Sequence, residues 1–80
     1  MATFHLKVVS LKKVLFNGET SSVYICGDEG EYELLPYHYA LIGAVVKSGI
    51  KIEGHPDIEV KTGAVLFSKN QCTIIVEQGD

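Results

Sequence analysis

Residues 19–35 read ETSSVYICGDEGEYELL. Val23 and Ile25 alternate with Tyr24 and Cys26, the period of two that sends one set of side chains into a core and the other toward water. The tetrad Gly27-Asp28-Glu29-Gly30 then reverses the chain. Both glycines are expected to supply positive φ, and the acidic pair keeps the tip solvated. Glu31 to Leu35 returns as a second strand and ends at Pro36, which lacks the donor that a central strand requires. Two short strands about a tight turn form a hairpin, so the building unit of this chain is β.

The same punctuation recurs on both sides. Phe4 to Val9 alternates Phe4, Leu6 and Val8 with His5 and Lys7. Val14 to Phe16 follows and is expected to close at the turn signal Asn17-Gly18, after which Glu19 to Cys26 forms the next strand. Downstream, Leu41 to Val46 is a continuous apolar run ended by Lys47-Ser48-Gly49. Ile50 to Glu53 and Ile58 to Lys61 alternate around Gly54-His55-Pro56-Asp57. Ala64 to Ser68 and Cys72 to Glu77 alternate around Lys69-Asn70-Gln71. No window keeps a 3.6-residue apolar period long enough for a substantial helix. The spacing predicts an all-β fold, a small two-sheet β-sandwich of about 8–10 short strands.

The chain has 80 residues, 46% apolar and 21% charged, with a net charge of −3. That is one domain, residues 1–80, too apolar for disorder and too small for elaborate catalytic machinery. A slightly acidic balance offers no footprint for nucleic acid. The N-terminal MATFHLKVVS has no basic segment before an apolar one, so no secretory signal is expected. Leu34 to Val46, the most apolar stretch, is broken by Pro36 and His38 and falls short of the ~20 residues of a bilayer span. Cys26 and Cys72 form no C-x-x-C pair and read as reduced, strand-borne thiols.

Catalytic chemistry finds no support. His5, His38 and His55 stand at no metal-ligand spacing, so neither metal nor cofactor is expected. No glycine-rich phosphate cradle occurs. A cysteine nucleophile paired with one of the histidines has nothing local behind it. The expectation is a non-enzyme.

Gly30 to Ile42, GEYELLPYHYALI, breaks the pattern of a surface connection. Three tyrosines, a histidine and a proline crowd between apolar runs. Such a rigid aromatic corner loses little entropy on docking, and tyrosines are favoured at interface cores. One reading is a free-standing module that binds a peptide or small ligand through Tyr32, Tyr37 and Tyr39.

The same segment resembles the epsilon subunit family of F-type ATP synthases, with its G-E…P-x-H-x core. Gly30-Glu31-Tyr32-Glu33-Leu34-Leu35-Pro36-Tyr37-His38-Tyr39-Ala40-Leu41 fits it without a gap. Phe4 to Ser10 followed by Phe16-Asn17-Gly18, then Lys47 to Ile52, then Thr62 to Leu66, resemble other parts of that family in order. The resemblance implies a non-catalytic part of the central stalk. It would bind the gamma subunit, rest on the polar loops of the c-ring, and couple proton-driven rotation to ATP synthesis. Its place would be the cytoplasmic face of the bacterial inner membrane, peripheral and without direct membrane insertion. By matching position, Gly30 and Glu31 would lie near the c-ring loops, and Ser10, Pro36 and His38 would face gamma or the adjacent ring. Tyr37 and Tyr39 would extend the same contact.

Two departures concern that corner. Glu33 stands where the family usually has glycine, and Tyr39-Ala40 replaces a small residue and proline. Family members also carry a pair of α-helices after the sandwich, whereas this chain reaches Gln78-Gly79-Asp80 about where that pair would begin. The expectation is a short form without the helical, inhibitory domain.

Overall fold

The alternation written into the chain becomes nine strands in the computed structural model, which describes residues 2–79; Met1 and Asp80 lie outside the described residues. The strands are β1 (Phe4–Val9), β2 (Val14–Thr20), β3 (Val23–Gly27), β4 (Gly30–Leu34), β5 (Leu41–Val45), β6 (Ser48–Ile52), β7 (Ile58–Val60), β8 (Thr62–Ser68) and β9 (Gln71–Glu77). They form a five-stranded sheet, β2-β1-β9-β8-β5, and a four-stranded sheet, β4-β3-β6-β7. No helix occurs among the described residues. The two sheets form a β-sandwich, as the spacing predicted.

The sheets meet through the inward half of each alternation. Phe4, Leu6, Val8, Phe67 and Ile74 from one sheet are fully buried, as are Val23, Leu34 and Ile50 from the other. Phe4 and Phe67 meet edge to face with centroids 5.3 Å apart, a geometry that aromatic quadrupoles favour. β1 and β9 pair in parallel, from His5 opposite Gln71 to Val9 opposite Ile75. The rest of the chain supplies the long crossover that a parallel pair needs.

Three local expectations are corrected. Asn17-Gly18 is not a turn: both residues lie inside β2, opposite Lys7 and Leu6. The reversal falls earlier, where the Ser10 N–H donates to the Lys13 carbonyl at 2.9 Å and the Ser10 hydroxyl accepts from the N–H groups of Lys12 and Lys13. Glu19 to Cys26 is not one strand either. It breaks at Ser21-Ser22 because the chain changes sheets there, and the Thr20 hydroxyl donates to the Ser22 carbonyl at 3.1 Å. In the β3–β4 hairpin only Gly30 has positive φ, at 126°. Gly27 is required for space instead, since a Cβ there would stand 3.0 Å from the Tyr32 ring.

The outer faces differ in chemistry. Ala44, Ala64, Ile75, Val9 and Val14 are register neighbours in an unbroken row across all five strands of the larger sheet. On the smaller sheet, Glu33, Tyr24 and Lys51 are successive partners, and the Lys51 ammonium meets Asp57 at 2.9 Å.

Candidate functional site at the Pro36 corner and the β3–β4 hairpin

Pro36 ends the strand run and stands second in the four-residue turn 35–38, closed by the His38 N–H donating to the Leu35 carbonyl at 3.2 Å. Its third residue, Tyr37, has φ 65°, a left-handed conformation that a side chain with a Cβ rarely adopts. The next residue turns inward. The His38 ring stands on the edge of buried Phe67 at 5.6 Å and 4.3 Å from the Tyr39 ring. Its Nδ1 pairs with the Tyr39 carbonyl at 2.7 Å, so the tautomer with hydrogen on Nδ1 is the one that satisfies this contact. Tyr37 and Tyr39 themselves point to solvent, at 76% and 78% exposure.

The hairpin reaches the same place from the other sheet. The Val46 N–H donates to the Cys26 carbonyl at 2.9 Å, tying the end of β3 to the end of β5. Glu31 lies opposite Cys26 in the ladder, and the Cys26 thiol donates to its carboxylate at 3.6 Å. Tyr32 turns inward between Gly27 and Gly43: a Cβ at Gly43 would meet its hydroxyl at 3.3 Å. Burial pushes the Tyr32 phenol above its ordinary value. Glu33 accepts from the Ser22 hydroxyl and, by its negative charge, raises the Tyr24 phenol opposite it.

A cavity of about 440 Å³ opens between these two parts, lined by Gly30, Glu31, Tyr32, His38 and Tyr39 together with Asp28, Glu29 and Leu41. Gly30, Glu31, His38 and Tyr39 are therefore brought together, with Pro36 and Tyr37 in the adjoining turn. The three tyrosines do not form one cluster, because Tyr32 and Tyr39 line the cavity and Tyr37 does not. Ser10 lies elsewhere. It lines a second cavity, of about 830 Å³, with Leu11, Lys12, Lys13, Lys61 and Ile75. Sequence reasoning passed over Asn70, whose side chain reaches Tyr37, because Asn in Lys69-Asn70 reads only as a turn former.

Catalytic groups are scarce. No cluster of three or more metal-ligating side chains occurs among the described residues. Cys72 is buried, and burial pushes its thiol up to about 12, so it stays protonated and inert near neutral pH. What the corner offers is a rigid contact surface, aromatic on one side and acidic on the other.

Residues 3–79 match the family model described as the ATP synthase delta/epsilon chain β-sandwich domain. The chain belongs to this family. An ATP synthase epsilon chain of Nitratiruptor sp. is 37% identical over 96% of this chain and 63% of its own length. That of Bordetella parapertussis is 33% identical over 96% and 58%. The chain thus spans about three fifths of the length of these curated relatives.

Solved structures share the fold. A chain of the Tetrahymena thermophila mitochondrial ATP synthase central stalk and c-ring superposes with a TM-score of 0.78 at 15% identity, over 91% of this chain and 62% of that one. A chain of the Euglena gracilis mitochondrial ATP synthase gives 0.82 at 15% identity, over 95% and 51%. No helix among the described residues of this family member is long and apolar enough to cross a membrane.

Proposed function

We propose that this β-sandwich is a non-catalytic central-stalk subunit of a proton-translocating F-type ATP synthase, joining the gamma subunit to the c-ring. In this role it carries rotation between them and is held peripherally at the cytoplasmic face of the bacterial inner membrane. The observation that carries the reading is the convergence of Gly30, Glu31, His38 and Tyr39 on one cavity, with Pro36 and Tyr37 beside it, in a domain of this family. These are positions that the resemblance assigned to partners, and they come from β4 and from the connection that carries the chain on to β5.

The mechanism is mechanical. Torque passes through a contact only if the contact yields less than the load, and strands closed by tight turns leave few soft torsions. Glu31, exposed at the hairpin, suits the basic groups of polar c-ring loops. A charge-assisted pair at a partly dry interface contributes about 1.5–3 kcal/mol. Ser10 occupies a different area, and its hydroxyl is already engaged by the N–H groups of Lys12 and Lys13. Its turn, with Leu11 at the tip, would form a second contact toward gamma.

Co-purification tests the reading. The wild-type chain should capture its cognate gamma subunit and c-ring from detergent-solubilised membranes. Glu31→Lys and His38→Ala should each weaken that capture about tenfold or more while melting within a few degrees of wild type. A chain that stays alone in such extracts, or variants that assemble as well as wild type, would sink it.

A further inference from the structure

Tyr37 stands out as a residue that the fold does not need. Its φ of 65° suits glycine, and its ring is 76% exposed. No aromatic or hydrogen-bonding partner engages that ring among the described residues. A left-handed non-glycine residue persists only when its surroundings over-determine it, and such residues gather at functional sites.

Two things hold it: the turn's own bond from the His38 N–H to the Leu35 carbonyl, with Pro36 in second place, and one side chain from outside the turn. Asn70 Oδ1 accepts the Tyr37 backbone N–H at 2.7 Å, while Asn70 Nδ2 donates to the Thr3 carbonyl at 2.9 Å. The Asn70 carbonyl also accepts from the His5 N–H at 3.3 Å. Lys69 and Asn70 are themselves left-handed, at φ 53° and 60°, which makes a two-residue hairpin turn of the primed kind. Asn70 therefore fastens the Pro36 corner to the entry of β1 and to the β8–β9 turn, across 33 and 67 positions of sequence. The corner hangs on a neutral amide, so this fastening does not titrate.

We propose that the Tyr37 ring is a partner-anchoring side chain and that Asn70 is the residue that positions it. This inference rests on the rotor reading above. The partner is the gamma subunit, at a surface continuous with the one that His38 and Tyr39 would meet. It offers an apolar recess for the ring and an acceptor for the phenol, since an amphipathic tyrosine fills a recess with its body and finds a hydrogen bond at its tip. Asn70 contributes indirectly, by holding the Tyr37 N–H and with it the direction of the side chain.

The two roles separate by experiment in the chain reassembled with its own gamma and c-ring. Tyr37→Gly should melt at or above the wild-type temperature, because glycine accepts positive φ, yet bind at least tenfold more weakly. Tyr37→Phe should lose less than half of that effect on a logarithmic scale. Asn70→Gly keeps the left-handed turn and strips the amide. It should expose the Tyr37 N–H to rapid hydrogen exchange and weaken binding by roughly the same factor, with little further loss in a Tyr37→Gly background. Asn70→Asp keeps the acceptor for Tyr37 and loses the donor to Thr3, and should bind within threefold of wild type. If Tyr37→Gly binds as tightly as wild type, or if Asn70→Gly costs the same factor in both backgrounds, the inference is overturned while the rotor reading stands. If the wild-type chain itself does not bind, both fall.

Discussion

Cys26 and Cys72 share a side chain and differ in everything around it. Cys26 is half-buried beside Glu31, whereas Cys72 is 1% exposed in the core between Leu6 and Phe67 of the neighbouring strands. Burial raises the Cys72 thiol from an ordinary 9.0 to about 12, and the consequence for stability has a definite sign. Between those values the unfolded chain has given up its proton and the native chain has not, so the unfolded state binds fewer protons and stability falls as pH rises. The contribution is whole below about pH 9 and is lost toward pH 12, with a slope of up to about 1.4 kcal/mol per pH unit. Other groups also titrate there, so the difference from Cys72→Val is what counts. Denaturant midpoints of the two proteins should diverge steadily between pH 9 and 11, wild type falling faster. Parallel curves would mean that the thiol ionises in place.

At the scale of strands, two glycines look alike in sequence and behave oppositely in space. A Cβ on Gly63 would stand 2.5 Å from the Ile75 carbonyl oxygen and 3.2 Å from the Val76 Cα, both backbone atoms of the paired strand β9. Backbone cannot swing aside, so Gly63→Ala must part the β8–β9 ladder and should cost about 1–3 kcal/mol, as overpacking does. A Cβ on Gly18 would find only the Phe16 ring at 3.8 Å, ordinary contact, and alanine restricts the unfolded chain. Gly18→Ala should therefore shift urea stability by less than about 0.5 kcal/mol or raise it.

Gly18 also marks where sequence stopped being legible. Asn-Gly is a strong hairpin signal, but the Ser10 hydroxyl had already closed the β1–β2 turn by capping two N–H groups. The real neighbour of Gly18 is Leu6 in the facing strand. Strand existence and the inward faces were readable because alternation is local. The parallel β1–β9 pair was not, since its partners lie 66 residues apart. The corner at Pro36 was readable from its composition. Asn70, which holds that corner, was not, because nothing in Lys69-Asn70-Gln71 points to Tyr37.

At the scale of the whole molecule the two outer faces divide the work. The smaller sheet shows water a salt-bridged, carboxylate-rich surface. The larger shows a row of Ala44, Ala64, Ile75, Val9 and Val14, with Ile42 at 80% exposure and Leu66 at 48% two register positions away on the same face. Single exposed apolar residues are ordinary, but a contiguous row across five strands on so small a domain is the kind of surface that partners cover. Lys12, Lys13 and Lys61 edge the cavity that Ala64 and Ile75, in the middle of that row, help to line, and no salt bridge engages them among the described residues. In the role proposed above, the larger sheet would present the broad face fixed to the stalk, and the smaller sheet would keep its outer face in water except at Glu31, at the hairpin end of β4. Ile42→Lys combined with Ile75→Lys should leave the melting temperature within a few degrees of wild type, since neither side chain enters the core. The same pair should lower capture of the cognate gamma subunit at least tenfold. Lys51→Ala combined with Glu59→Ala, on the opposite sheet, should leave capture within twofold. Equal losses from both pairs would remove the distinction between the faces, and a loss confined to the second pair would reverse their assignment.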